Sequence, residues 1–438
     1  MEMAMQDDNK PKEKQSSLHT TIIPMAIVAM LFFILGFATW LNGSLMPFLK
    51  QILDLTPLQA SLILFSFYIA VTFTAIPSSQ IVRKIGYKKG MALGMAIMMI
   101  AGLLFIPAAK TQIFAVFLFA QLVMGTGQTL LQAGVNPYVV KIGPEESAAA
   151  RVCIMGILNK GAGICAPLAF YALVLSDFEQ YKGIKELTDI QVSEMAGALI
   201  YPYLGLAIFL GLLAFAVFKS PLPELISEEE AQANKGQIRD TLSHPNLVLG
   251  VAALFFYVAV EVIAGDTIGT YALSLGVDNY AVMTSYTMAC MVIGYILGII
   301  LTPRVMSQST ALAISSVLGI TLSIFIVFGS TESMVISNTF SAPAMPDALY
   351  MIAFLGLANA IVWPAVWPLA LSGLGKNTST GSGLLLMGIA GGAFGPLFWG
   401  GLSSTPLGQQ GGYIVLLPCY AFILFYALKG HKITAWGK

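Results

Sequence analysis

Charge is scarce in this chain: Asp, Glu, Lys and Arg make up 10% of 438 residues, against roughly 25% in an ordinary soluble domain. That shortage excludes a normal solvated surface. The 22 basic residues match the 22 acidic ones, so there is no cationic excess to attract nucleic acid. Histidine is nearly missing. His19, His244 and His431 all fall outside the apolar runs, and neither H-E-x-x-H nor G-x-S-x-G occurs, which argues against an intramembrane enzyme. Cys153, Cys165, Cys290 and Cys419 lie within apolar runs with no C-x-x-C pair. They read as buried free thiols, and no resident metal or cofactor is expected.

What is abundant is apolar sequence: 57% of residues are hydrophobic and the mean hydropathy is +0.80. Crossing a hydrocarbon layer of roughly 30 Å takes about 20 helical residues. Twelve runs of that kind lie near 22–48, 58–82, 88–109, 112–140, 150–176, 198–219, 246–275, 280–303, 309–330, 347–373, 379–402 and 412–429. The expected fold is all-α and membrane-embedded. Residues 1–20 are polar, lack the apolar core and cleavage site of a signal peptide, and read as a cytoplasmic tail. Residues 21–219 form one six-helix half, 220–245 a polar linker containing Glu228, Glu229 and Glu230, 246–429 a second half, and 430–438 a second tail. With both termini inside, the inner segments carry 17 Lys or Arg and the outer loops four (Lys50, Lys110, Lys182 and Lys185), as the positive-inside rule requires. An internal echo relates the halves: Gly163-Ile-Cys-Ala-Pro167-Leu168 recurs as Gly392-Ala-Phe-Gly-Pro396-Leu397. Related six-helix halves suit a transporter with its substrate site between them at mid-membrane.

Ionisable groups inside spans cost about 2.5–3.5 kcal/mol each on insertion scales, so each is a candidate functional group. There are three: Lys160 in span five, and Glu261 and Asp266 in span seven. All three are candidates for ion coupling, and structural ion pairing is the alternative. The two carboxylates are separated by about 140° around a continuous helix. A break near Gly265 or Gly269 would free carbonyls for a cation. In span four, Gln128, Gln132 and Asn136 follow at i, i+4 and i+8, a row of carboxamides that can donate to and accept from sugar hydroxyls; interhelical hydrogen bonding is the plainer role. Asn359, Trp363 and Trp367 repeat the spacing in span ten, and Tyr257 stands one turn before Glu261. Such rings can stack on a pyranose face or sit at the lipid interface.

Several motifs, taken together, resemble the fucose-galactose-glucose symporters of the major facilitator superfamily. Leu41-Asn42-Gly43-Ser44-Leu45-Met46-Pro47 is similar to that family's L-N-D-x-L-x-P, and Leu131-Gln132-Ala133-Gly134-Val135-Asn136-Pro137 to its L-[EQ]-x-x-x-N-P. Arg83-Lys84-Ile85-Gly86-Tyr87-Lys88 resembles its basic loop, and Tyr257-Val258-Ala259-Val260-Glu261-Val262 its Y-V-G-x-E-V. Asn159 falls where the family has a sugar-contacting Asn. The resemblance implies the major facilitator fold, alternating access and ion-coupled uptake of a monosaccharide by a protein of the bacterial cytoplasmic (inner) membrane, monomeric by default. Two departures bear on mechanism. Gly43 and Gln132 stand where the proton-coupled branch has an Asp and a Glu, which inclines the expectation toward Na+ over H+.

On this reading Asn42, Gln128, Gln132, Asn159, Lys160, Tyr257, Glu261, Asn359 and Trp363 line a site for glucose, galactose, N-acetylglucosamine or a similar hexose. Rival readings are a facilitative uniporter in which Lys160 replaces the coupling cation, a proton-coupled drug exporter, and a membrane sugar sensor.

Overall fold

The computed structural model describes residues 10–142, 148–181, 187–224, 237–302, 305–374 and 377–436. Lys182, Lys185, Arg304, Lys376 and Glu228 to Glu230, which entered the charge reading, lie outside them. Twelve helices are long and apolar enough to cross a membrane, and no strand occurs among the described residues. Helices are the natural outcome, because a segment in hydrocarbon must satisfy its backbone groups within itself.

In chain order the spans are Ile23–Ile52, Pro57–Ile85, Tyr87–Thr111, Phe114–Val139, Ile154–Phe178, Asp189–Lys219, Pro245–Asp266, Tyr280–Leu301, Gln308–Phe328, Asp347–Leu371, Thr380–Ser403 and Gly408–Lys432. All twelve coincide with the predicted runs, and the differences are at the ends. The first helix starts at Lys10 and continues past Pro24, so it begins inside the segment expected to be a tail. Span six starts at Asp189, where Thr188 and Gln191 form a reciprocal capping box. Hydrophobicity alone misses that polar first turn, whereas the cap chemistry specifies it.

Short connections are set by local chemistry. Thr56 Oγ1 accepts from Gln59 N at 3.2 Å and Gln59 Oε1 accepts from Thr56 N at 2.9 Å, with Pro57 in the first turn. Gly86 has φ +94° between spans two and three, a conformation that favours glycine. Next to it, Tyr87 N donates to Glu224 Oε1 at 2.8 Å. The start of the linker is therefore docked on the basic loop, its carboxylate at a helix N-terminus.

Interruptions in four of the spans bear on the site. Span one breaks at Leu41 ahead of a helix Asn42–Ile52 that contains Pro47, and span ten divides between Asp347–Ala360 and Val362–Leu371. Span five ends in a wider turn, Tyr171–Leu175, four residues after Pro167. Span seven stops at Asp266 and resumes as Ile268–Ser274.

The two halves meet along spans five and eight and along spans two and eleven. The internal echo lies on these two seams. A Cβ on Gly163 would come within 2.8 Å of the Trp40 ring and 2.7 Å of Met288, and one on Gly392 within 2.7 Å of the Tyr68 ring. Small residues here let the backbones approach. The end of the bundle opposite the termini, the far end, is sealed by contacts between halves. Ser44 Oγ donates to Ala281 O at 2.5 Å, Tyr280 OH to Gln51 Oε1 at 2.9 Å, and Leu58 N to Ser404 Oγ at 3.2 Å. Cysteines replacing Ser44 and Ala281 are expected to join under oxidation. In a chain cut at a protease site placed within 225–236, they would hold the halves together on a denaturing gel until reduction, and separation without reductant would show that this seal does not form.

Candidate functional site

Lys160 and Glu261 come from different halves and meet at the centre. Lys160 Nζ lies 2.6 Å from Glu261 Oε1, with the two residues only 8% and 7% exposed. Pairing solves an energetic problem for each span: an isolated charge in this interior would be strongly disfavoured, and a partnered one is tolerated. Two aromatic side chains complete the arrangement. Tyr257 OH donates to the same Glu261 oxygen at 2.8 Å, as its position one helical turn earlier allows. The Lys160 ammonium sits 4.4 Å from the centre of the Trp40 ring, a cation–π contact strengthened by desolvation.

The rings continue outward from this pair. Tyr257 and Trp363 have centroids 6.2 Å apart at 50°, and Trp363 and Trp367 are 5.6 Å apart at 48°. On the facing half, Gln132 is partly exposed and has no hydrogen bond among the described residues. Asn159 is also partly exposed, with Nδ2 3.4 Å from Phe32 O. Lys160, Glu261, Tyr257 and Trp363 are thus brought together from both halves.

Three expected site residues each give one amide atom to a neighbour within the chain, while Asn42 Nδ2, Gln128 Oε1 and Asn359 Nδ2 are buried with no partner among the described residues. Asn42 Oδ1 accepts from Gln121 Nε2 at 2.7 Å inside the first half. Gln128 Nε2 donates to Thr39 Oγ1 at 2.6 Å. Asn359 is fully buried, and its Oδ1 accepts from Tyr420 OH at 2.7 Å. Gln121 belongs to the span-four amide row two turns before Gln128, a spacing that could have revealed it. Trp40 and Tyr420 were not anticipated. Trp40 directly precedes the Leu41–Pro47 motif, but only the fold brings it under Lys160.

Asp266 stands apart. It is 0% exposed, and neither carboxylate oxygen has a hydrogen-bond partner among the described residues. The break in span seven does not leave the preceding carbonyls free, contrary to one expectation from sequence. Thr267 Oγ1 donates to Ile263 O at 2.6 Å, Thr287 Oγ1 to Ala264 O at 3.2 Å, and Thr284 Oγ1 to Gly265 O at 2.6 Å. Of the two carboxylates in span seven, Lys160 pairs with Glu261.

Comparison with known proteins follows from this geometry. The family model described as Major Facilitator Superfamily matches residues 28–396. A glucose/galactose transporter from Brucella abortus is 33% identical, over 92% of this chain and 93% of that one. An L-fucose-proton symporter from Escherichia coli is 26% identical, over 93% of this chain and 92% of its own. The crystal structure of a fucose:proton symporter from E. coli superposes with a TM-score of 0.68 at 24% identity, covering 93% of this chain and 98% of that one. At that identity the superposition speaks for the fold.

Replacing Lys160 by Met is expected to cost about 3–5 kcal/mol of stability, because Glu261 is left buried without its partner. Lys160→Met combined with Glu261→Gln should recover most of that loss. Unfolding curves in detergent test this, and an equal loss in the single and double variants would contradict the pairing.

Proposed function

The chain belongs to the Major Facilitator Superfamily, in the group of the glucose/galactose transporters and L-fucose-proton symporters, and on that premise we propose that it imports a hexose or amino hexose by cation symport. The observation that carries this reading is the Lys160–Glu261 pair, which bridges the two halves with Tyr257 and Trp363 beside it. A neutral sugar needs donors and acceptors of both kinds plus flat apolar faces. Gln132 and Asn159 supply amides, Glu261 and Lys160 a charged acceptor and donor, and Trp363 a ring for the C–H face of a pyranose.

Alternating access follows from where these groups reside. A ligand held by Gln132 and Lys160 on one half and by Tyr257, Glu261 and Trp363 on the other favours conformations in which the halves are close. The far-end seal, from Ser44 to Ala281 and from Gln51 to Tyr280, would separate when the site opens that way. The excess of Lys and Arg at the end bearing the termini supports that end as cytoplasmic and the sealed end as periplasmic. The named relatives are bacterial, which supports the cytoplasmic (inner) membrane of a bacterium.

Charge supports coupling. Lys160 is paired with Glu261, and Asp266 is a second buried carboxyl group without a basic partner among the described residues. A monovalent cation that binds one conformation better than another would shift the equilibrium between them. Sodium is favoured over the proton because Gly43 and Gln132 are neutral where the resemblance to proton-coupled symporters implies carboxylates. Facilitated uniport has one observation on its side, since the Lys160–Glu261 pair is neutral by itself; Asp266 weighs against it.

The test is uptake of a labelled hexose panel into proteoliposomes at equal pH on both sides, with an inward sodium gradient and then with potassium replacing sodium. Accumulation above equilibrium with sodium alone is expected, and equal, non-concentrative uptake in both would favour uniport. Gln132→Ala is expected to weaken sugar affinity about tenfold, the equivalent of roughly 1.4 kcal/mol for lost hydrogen bonds. Unchanged affinity in a binding titration would remove span four from the site.

A further inference from the structure

Asp266 is a fully buried carboxylate with no donor to either oxygen among the described residues. Such a group is costly unless something neutralises it. Its surroundings are rich in oxygen. Thr270, one turn further along span seven, is also 0% exposed, and its Oγ1 has no partner among the described residues. On the facing half is Gly43: a Cβ built there would lie 3.0 Å from Asp266 Oδ1 and would collide with Thr284 Oγ1. The missing side chain therefore lets the backbone at Gly43 approach both a carboxylate and a hydroxyl of the other half. Pro47 has no N–H, so the Gly43 carbonyl lacks its i+4 helical donor. That oxygen faces span seven, 3.1 Å from where a Cβ on Gly269 would be.

We infer that Asp266, Thr270, Thr284 and the Gly43 carbonyl form a sodium-ion site beneath the far-end seal, distinct from the sugar site. The inference rests on the symport reading and locates the coupling ion within it. A proton would need only the carboxylate. The unpartnered Thr270 hydroxyl and the freed Gly43 carbonyl are the neutral oxygen donors that a hard metal cation takes in addition. A divalent ion is a poorer fit, since among the described residues no three His, Cys, Asp or Glu side chains gather.

Trp40 separates the two sites. Its ring carries the Lys160 ammonium at 4.4 Å. The same ring lies within 2.5 Å of where a Cβ on Gly265 would be, next to Asp266 in sequence. Glu261 and Asp266 are about 7.5 Å apart along the helix axis, so an ion at Asp266 sits on the far-end side of the ion pair. The other charged or titratable groups within electrostatic reach of Asp266 are Glu261, Lys160 and Tyr68.

The placement suggests how coupling arises. Gly43 lies on the first half, while Asp266 and Thr284 lie on the second, so the site is complete only when the far end is closed. A sodium ion there neutralises Asp266 and ties the two halves together next to Ser44–Ala281. Sodium binding and closure of the far end thereby favour each other.

The experiment is the melting temperature of the purified protein without sugar, titrated with NaCl against KCl at constant ionic strength, together with equilibrium binding of radioactive sodium. Wild type is expected to show a saturable rise in melting temperature with sodium alone and to bind one sodium per chain. Asp266→Asn should abolish both effects. Thr270→Val, close to isosteric, should raise the sodium concentration for half-saturation at least fivefold while leaving a folded, monodisperse protein. A wild type that ignores sodium, or an Asp266→Asn variant that keeps the full response, would overturn the inference. Exchange of labelled for unlabelled sugar by wild type, with sodium equal on both sides, reports separately on the transport reading. Sugar exchange without a sodium site removes this inference alone, and failure of exchange with every hexose removes the reading beneath it.

Discussion

The arrangement depends on one ion pair in a place where charge is expensive. Lys160 from the first half and Glu261 from the second are almost wholly withdrawn from water and lie 2.6 Å apart. Neither span is comfortable alone, so the halves are joined at their centre by a contact that any rearrangement must replace or preserve. Trp40 under the ammonium and Tyr257 on the carboxylate hold the pair in position. A ligand that competes for Tyr257, Lys160 or Glu261 acts directly on the link between the halves. In such a site, recognition and conformational change share the same atoms.

Around that centre, the fold uses glycine and proline to bring polar atoms where hydrocarbon would exclude them. Gly163 and Gly392, counterparts in the two halves, allow Trp40 and Tyr68 to lie in the seams. Pro47 relieves the Gly43 carbonyl of its helical donor, and the interruption of span seven places Asp266 at a helix end. Hydroxyls from span eight stabilise that break by donating to carbonyls of Ala264 and Gly265. The result is asymmetric: Glu261 has a lysine, and Asp266 has none. In the proposed cycle the coupling cation supplies what Asp266 lacks.

Sequence alone carried the span count, the all-α class and the set of intramembrane charges, because hydrocarbon imposes length and composition so strictly. It was less informative wherever partners meet through space. Glu261 and Asp266 looked alike as partners for Lys160; the choice between them depends on how span five crosses span seven. Gln128 and Asn359 have the same chemistry as Gln132, yet Thr39 and Tyr420 each engage one of their amide atoms. Exposure separates these amides, and helical spacing does not. Trp40 carried no distinguishing signal, since an aromatic near a span end usually marks the lipid interface. The first turn of span six was missed for a different reason: its polar cap is invisible to a search for hydrophobic length.

The central claim is that Asp266, the buried carboxyl group left over once Lys160 pairs with Glu261, takes up a monovalent cation during transport. The reversal potential of sugar flux tests it most directly, measured in proteoliposomes with fixed sugar and sodium gradients while the membrane potential is varied with potassium and valinomycin. A reversal potential corresponding to one positive charge carried with each sugar is the expected result. Sugar flux that reverses only with the sugar gradient, independent of both sodium and voltage, would contradict the claim.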